Sequence, residues 1–406
     1  MQMSFIVTTY NVAPYVEKCL ASVLEAARPG DEIIVVDDGS TDATPAMIRH
    51  LSRIRDVSPY VWVPIFLGTN TPGGVGIPAN IGLRQARGGA VFFVDGDDWI
   101  EPKGFKEARR HFEASGDDVM LANYREFDEA MQAAKPPADA FRWGHLAGID
   151  VSAPQPPADE GGRAPLERRL KALAMIAAPW RKFYLRAALE TKGLRFAEGP
   201  FFFEDNPFHW DVCLGVDRIG FYNQIVCFHR VNRPGQTMMA LDRNLLAFFD
   251  HYDAIVSRLP ELDHDAAACR AQHAAAMDWL VQNMTWHLQR LDPVWYWDYA
   301  ARAGRTLNGF DAQVWEEDVA PRFEGTAIGA TAAQLRTAST AQVVILWQTA
   351  EHLKKSRQIS DRLAQVETLV GDLQSIGQLT DRLETLRAQA EWEALRKLGL
   401  RQAKQG

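Results

Sequence analysis

Along the first 130 or so residues, short runs of β-branched and aromatic residues alternate with stretches whose apolar positions recur every three or four residues. The runs "MSFIVTT", "DEIIVVD", "YVWVPIFL" and "AVFFVD", with "DVMLANY" as a fifth, read as strands. Their near-continuous apolar character suits parallel strands covered on both faces. Between the first two, Pro14 stands near a helix start, and Val16, Leu20, Val23 and Leu24 follow at helical spacing. In "DDGSTDATPAMIRHL", Thr41 or Asp42 is the expected N-cap. The alternation predicts a doubly wound α/β domain that receives its ligands at the carboxyl ends of its strands.

The pattern then changes. Residues 131–165 are rich in Pro, Ala and Gly and read as a loop or inserted flap. A mixed segment runs on to Thr237, and 238–354 is mostly helical and rich in Trp and Ala, as in "AAAMDWLVQNMTWHLQRL". In the tail, 355–406, Leu363, Val366, Val370 and Leu373 are followed by Ile376, Leu379, Leu383, Leu386 and Ala390, with a three-residue slip after Leu373. That spacing predicts a short, imperfect coiled coil through which the chain pairs with copies of itself, or a single helix docked on the preceding domain. At the end, "EWEALRKLGLRQAK" sets Trp392, Leu395, Leu398 and Leu400 among Arg396, Lys397, Arg401 and Lys404. This suits a solvated helix end first, with an anionic membrane surface as the alternative. The expected organisation is an α/β domain over 1–237, a helical region over 238–354 and a helical tail over 355–406.

Composition narrows the function. A chain of 406 residues, 47% hydrophobic and 24% charged, has the balance of a soluble protein of two or three units. Its net charge of −8 argues against a nucleic-acid partner. Cys19, Cys213, Cys227 and Cys269 are scattered without a CxxC pair, as free thiols in a reducing compartment are. No signal-like start and no apolar run of membrane-spanning length is present in the sequence, so a cytoplasmic protein, peripheral at the inner face of the membrane, is expected.

Candidate chemistry concentrates in "FFVDGDDW", where a buried-looking strand ends in Asp95, Asp97 and Asp98. Three like charges this close raise one another's pKa unless a cation compensates. Oxygen ligands at a strand end suit a hard divalent ion, Mg²⁺ or Mn²⁺, shared with substrate phosphates. For any single Asp a turn is the alternative, with Asp98 capping a helix that starts near Pro102; three of them favour the metal. "GVGIPA" (Gly74–Ala79) matches the G-x-G-x-x-A dinucleotide pattern, with Asp95 about 20 residues on. Its glycines do not directly follow a strand, and two βα units precede it, so that reading is weak.

Together these segments resemble the family 2 glycosyltransferases of the GT-A fold. The resemblance runs through "FIVTTYNVAPYVEKCLASVL", "DEIIVVDDGSTDAT", "NIGLRQARGGAVFFVDGDD" and "FFFEDNPFHWDV", covering roughly residues 3–237. It implies that "TTYN" ends the first strand beside the nucleotide, with Thr8 bonding the base, Tyr10 stacking on it and Asn11 next to it. Asp38 would accept hydrogen bonds from base or ribose, with Asp37 supporting the loop. Asp95, Asp97 and Asp98 correspond to the DxD element, Asp97 at its centre, one acid on the ribose and the next on a metal bridging the diphosphate; which of Asp95 and Asp98 assists is open. Asn80 and Gly82 match the helix leading into this strand, but an arginine common before that Asn is replaced by Pro78 and Ala79, leaving Arg84 or Arg87 to substitute. Asp205 would be the catalytic base, set just outside a helix capped by Asn206 with Pro207 at its first position, and Glu204 would orient Asp205 or the acceptor. A carboxylate there could also serve the helix dipole. In "FHRVNRPGQTM", His229, Arg230 or Arg233 would meet a phosphate or metal, while His229 could equally be a strand-end histidine. Trp180 and Lys182 match the segment before the base, Trp180 with core packing as its expected role.

The activity implied is a metal-dependent, inverting transfer of a sugar from a nucleotide-sugar donor, UDP-linked, to an acceptor hydroxyl on a glycan or lipid-linked acceptor. Polysaccharide or surface-glycan synthesis is the implied setting. A nucleotidyltransferase is disfavoured because no Gly- and Lys-rich triphosphate loop follows the first strand. A non-catalytic scaffold is disfavoured by the intact acids at Asp97 and Asp205.

Overall fold

A computed structural model describes residues 1–146, 163–200, 202–234, 243–262 and 265–402. Part of the Pro-rich segment expected to form a flap, 147–162, lies outside the described residues, as do 235–242. The chain divides into two compact units, Met1–Thr340 and Ala341–Gly406.

The first unit opens with the expected alternation: β1 (Met3–Thr9), α1 (Ala13–Ala26), β2 (Glu32–Asp37), α2 (Thr44–Ile54), β3 (Val61–Phe66), α3 (Gly76–Gln85) and β4 (Ala90–Asp95). The chain continues through β5 (Trp99–Ile100), α4 (Pro102–Ser115), β6 (Val119–Asp128), β7 (Ala133–Lys135), α5 (Leu166–Leu173), β8 (Lys182–Leu185), α6 (Arg186–Thr191), α7 (Asp205–Gly215) and β9 (Ile219–Val231). The strands form one sheet in the order β3-β2-β1-β4-β8-β6-β9-β5, with β7 on β6. β1 pairs in parallel with β2 and β4, in a register that sets Thr8 beside Asp95 and Thr9 beside Asp37. These three strands are buried almost throughout because helices cover both faces.

Three features differ from the expectation. The sheet is mixed, since β8 runs antiparallel between β4 and β6, so "DVMLANY" does not pair with β4. β3 is a half-exposed edge strand, with Val61 46% exposed, and Pro64 is tolerated on it as on edge strands generally. α2 begins at Thr44 rather than directly after a Thr41 or Asp42 cap; Asp42 still accepts from the Thr44 N–H at 2.9 Å, and also from Ala13 N–H at 3.0 Å.

The core is aromatic. Phe92 of β4 packs edge-on against Phe105 of α4 at 4.8 Å and beside Phe183 of β8 at 4.9 Å. α1 adds Val16, Leu20 and Val23, the apolar face read from its spacing. At the opposite, amino-terminal edge of the sheet a buried ion pair ties α4 to the loop before β2. Arg109 grips both carboxylate oxygens of Asp31, at 2.5 and 2.9 Å, and Asp31 also accepts from the N–H groups of Met3 and Arg28.

After β9 come α8 (Ala247–Leu262), α9 (Ala266–Leu288), α10 (Tyr296–Asn308) and a helix over Ala327–Thr337. They pack Phe248, Trp279, Trp286 and Tyr299 among themselves and against α7, with Phe248 and Tyr299 buried. The second unit is part of a single helix, Thr340–Gln402, whose Leu363, Leu383 and Leu386 are open to solvent. No helix among the described residues is long and apolar enough to cross a membrane.

Replacing Arg109 with Met removes one side of a buried pair and leaves Asp31 charged in the interior. The expected loss is about 3 kcal/mol of folding free energy, read from the midpoint of denaturant unfolding. An unchanged midpoint would mean that the two backbone N–H groups alone satisfy Asp31.

Candidate active site

The acidic cluster forms where β1, β2 and β4 end together. Thr8 donates to Asp95 at 3.5 Å across the register pair. Gly96 then turns the chain back, its N–H bonded to the Thr8 carbonyl at 2.8 Å. A Cβ on Gly96 would sit 2.7 Å from the Thr9 methyl carbon, so the approach is open to glycine alone. Asp97 and Asp98 are thereby directed toward the end of β9.

Residues 229–233 meet them with cations. His229 Nδ1 lies 2.9 Å from Asp98 Oδ2, and the Arg230 N–H donates to Asp98 Oδ1 at 2.7 Å. Arg230 Nε donates to the Asp97 carbonyl at 2.9 Å, while its guanidinium pairs with Glu129 and lies over the Tyr15 ring at 4.5 Å. Arg233 Nε pairs with the Asp97 carboxylate. Burial, Asp98 and Asp97 push the Asp95 carboxyl well above its usual range. Burial opposes a charged His229, yet Asp98 and then Asp97 and Asp95 outweigh it and push the imidazole up to about 9. His229 is therefore a charged partner of Asp98, stacked at 4.6 Å on Trp180, which itself sits in the core.

Both oxygens of Asp98 are engaged within the chain, whereas Asp95 stays partly exposed. Among the described residues no group of three His, Cys, Asp or Glu side chains is gathered closely enough to hold an ion. The donor set at Asp95 and Asp97 is nonetheless all oxygen, as Mg²⁺ or Mn²⁺ requires.

The second pair of acids opens α7. Phe203 adopts a left-handed backbone (φ 62°), held by ring packing on Phe248 at 4.9 Å and Trp286 at 6.1 Å. His251 bonds the neighbouring Phe202 carbonyl at 2.7 Å. This turn moves the helix start: Asp205 is its first residue, Glu204 precedes it, and Asn206 is not the cap but donates to the Phe203 carbonyl at 3.0 Å. Burial pushes Asp205 up to about 6, against the opposing pull of Lys182. Lys182 is itself buried, bonded to the Ala178 carbonyl at 2.6 Å, and burial draws it down to about 7.

Glu204 lies against the amino end of α3, where Gly76 N–H donates to Oε1 at 2.6 Å. Burial pushes its carboxyl up to about 7. A Cβ on Gly74 would lie 2.5 and 2.7 Å from the two Glu204 oxygens, and one on Gly76 would lie 2.5 Å from the Ala197 carbonyl. The glycines of "GVGIPA" thus make room for the chain's own carboxylate and backbone. The helix N-terminus a dinucleotide would use is filled by Glu204.

The remaining expected residues fall into two groups. Tyr10 is 43% exposed at the end of β1, and Thr8 is buried behind it. Asn11, left-handed at φ 50°, accepts from Thr41 N–H at 2.8 Å and holds the loop after β2. Asp37 props the same loop through Thr9 and Ser40. Asp38 accepts from both the N–H and hydroxyl of Thr71, each at 2.9 Å, joining that loop to the one after β3; burial raises its pKa against those two bonds. Asn80 clamps α3 to residues 196–198 through Phe196 N–H and carbonyl and Glu198, and Arg84 reaches the same Glu198 at 3.2 Å. Sequence pattern alone does not reveal Thr71, Glu129, Phe203 or the Gly74–Glu204 contact. Each depends on a partner more than thirty residues away, so no local pattern carries it.

Residues 4–173 match the family described as glycosyl transferase family 2. The chain is 27% identical over 262 residues to an uncharacterized glycosyltransferase of Bacillus subtilis, EpsJ, covering 62% of this chain and 70% of that protein. It is 27% identical over 240 residues to the poly(ribitol-phosphate) beta-N-acetylglucosaminyltransferase TarS of Staphylococcus aureus, covering 59% of this chain and 37% of that one. The crystal structure of S. aureus TarS 1–349 in complex with UDP-GlcNAc is similar in fold, with a TM-score of 0.66 at 20% identity over 87% of this chain and 92% of that chain.

Gly74→Ala should cost about 1–3 kcal/mol through collision with Glu204, and most of that cost should vanish in a Glu204→Ala background. Thermal unfolding of the two single variants, the double variant and the parent measures the coupling; strict additivity would remove the contact from the account. Asp205→Asn probes the raised carboxyl. A group whose folded pKa lies above its unfolded value loses stability as pH rises from about 4 through about 6. The Asn variant should therefore melt higher than the parent at pH 7.5, by on the order of 1 kcal/mol, with the difference gone at pH 4. A variant less stable at both pH values would contradict this.

Proposed function

The chain carries a family 2 glycosyltransferase domain, matched over residues 4–173, and from that premise we propose that it moves a sugar from a UDP-sugar to an acceptor hydroxyl during surface-glycan synthesis. The observation that carries the proposal is the meeting of two acid sets from distant parts of the chain. Asp95 and Asp97 end β4, Asp205 starts α7, and the two sets are near enough for Asp205 to raise the Asp95 pKa.

In this reading the exposed Tyr10 ring stacks on the base, with Thr8 and Asp38 beside it. Asp97 and Asp95 hold a divalent cation, Mn²⁺ or Mg²⁺, which supplies Lewis-acid stabilisation of the leaving nucleoside diphosphate when bound. Arg233 and the charged His229 add positive charge along the same edge. Asp205 receives the acceptor hydroxyl's proton as that oxygen attacks the anomeric carbon from the side opposite the diphosphate, so the configuration inverts. With a pKa of about 6, it is ionised at neutral pH yet more basic than an ordinary Asp. Glu204 acts through position: bonded to α3, it fixes the first turn of α7. Free, mostly buried thiols support a cytoplasmic setting beside a glycan or lipid-linked acceptor at the inner membrane face. UDP-GlcNAc is the first donor to test, since it is the ligand of the similar TarS structure.

The test is UDP release from UDP-GlcNAc and other nucleotide sugars, with Mn²⁺ or Mg²⁺ and with EDTA, in the presence of mixed glycan acceptors. Release should need the metal and fall by roughly 10²–10⁴-fold in Asp205→Asn, with a comparable loss in Asp97→Asn. In the parent, the rate should drop below pH 6 or so as Asp205 takes up a proton. Full release by Asp205→Asn would strip that residue of the role of base.

A further inference from the structure

The terminal helix, Thr340–Gln402, has 63 residues, about 95 Å at ~1.5 Å per residue. A helix this long draws its stability from covering an apolar face. Here that face is bare: Ile359, Leu363 and Leu383 are 67, 59 and 66% exposed. From Ile359 to Ala390 the apolar seam advances in steps of 4, 3, 4, 3, 3, 3, 4, 3 and 4 residues. The steps of 3 and 4 make a coiled-coil seam, and the central run of three steps of 3 is its irregularity.

That series reads the same from either end, with its midpoint between Gln374 and Ser375. A two-fold axis at the midpoint sets two antiparallel copies with Ile359 opposite Ala390, Leu363 opposite Leu386 and Val366 opposite Leu383. The irregularity in one helix then meets its own image, as an isologous contact requires. A parallel pair has no use for such a reversal. Charge points the same way. In the antiparallel pair Lys354, Lys355 and Arg357 lie opposite residues 392–395, beside Glu391 and Glu393. In a parallel pair in register the three cations face themselves, which is repulsive. We propose that this helix is a dimerisation element that pairs antiparallel with a second copy of the chain about Gln374–Ser375.

The proposal is tested on the full chain. Light scattering should show a dimer at micromolar concentration, and Val366→Lys with Leu383→Lys should convert it to a monomer without changing the melting of the first unit. Orientation is read by a nitroxide at Ser360→Cys in a Cys269→Ser background, the other three cysteines being buried. The antiparallel pair places the two labels about 44 Å apart along the axis, at ~1.5 Å for each intervening residue. A parallel pair in register holds them within about 25 Å, the helix spacing plus two label arms. A short distance overturns the orientation. A parent that is monomeric or forms an odd-numbered assembly overturns the proposal, as does a double variant that stays dimeric. A monomer that floats with vesicles containing anionic phosphatidylglycerol, and loses flotation in the double variant, would assign the stripe to a membrane surface instead.

Discussion

Crowding carboxylates at the end of a buried sheet is the constraint to which the rest of the first unit answers. Asp95, Asp97 and Asp98 cannot all stay charged beside one another without compensation. Arg233 pairs with Asp97, and His229 and the Arg230 backbone hold Asp98. β9 therefore acts as more than a sheet strand: it delivers a row of cations to a site built by β1 and β4. Tyr15 and Trp99 keep Arg230 in place from the other side. Asp95 stays partly exposed, and burial with Asp98 and Asp97 holds its carboxyl well above the usual range despite the opposing pull of His229. A bound dication would favour the charged form of that carboxyl.

The helical region serves the site at one remove. Phe248, Trp286 and His251 hold residues 202 and 203 in the left-handed turn that starts α7. Strain of this kind persists only where surrounding packing enforces it. Glu204 then closes the connection by sitting on the amino end of α3, in a space that Gly74 and Gly76 leave open. Helices remote in sequence thus pack against the turn that leads into Asp205, and the amino end of α3 shares a hydrogen bond with Glu204 beside it.

Much of this is legible in the order of amino acids alone. β1, β2 and β4 follow from apolar runs, because parallel strands buried on both faces leave little else for their sequence to be. The acids at 95, 97, 98, 204 and 205 stand out by type and placement. The mixed sheet is not legible, since β8 joins β4 through two residue pairs that no periodicity encodes. Nor is the start of α7: "DNP" reads as a cap followed by Pro, but the left-handed Phe203 shifts the helix two residues earlier, and its cause lies in rings contributed by α8 and α9. The glycines of "GVGIPA" have the spacing of a dinucleotide loop and belong instead to Glu204, 128 residues away along the chain. Nor does position alone reveal that the amides of Asn80 and Asn11 tie loops and helices of the protein together.

In the proposed reaction the acids ending β4 would be completed by a divalent cation together with the nucleoside diphosphate. Calorimetric titration of UDP into the 406-residue chain, with Mn²⁺ and with EDTA, tests this without needing the acceptor. Mn²⁺ should tighten UDP binding at least about tenfold, a gain of roughly 1.4 kcal/mol, and Asp97→Asn should abolish the gain while weak binding through the base persists. Equal affinity with and without Mn²⁺, or a gain unaffected by Asp97→Asn, would contradict it.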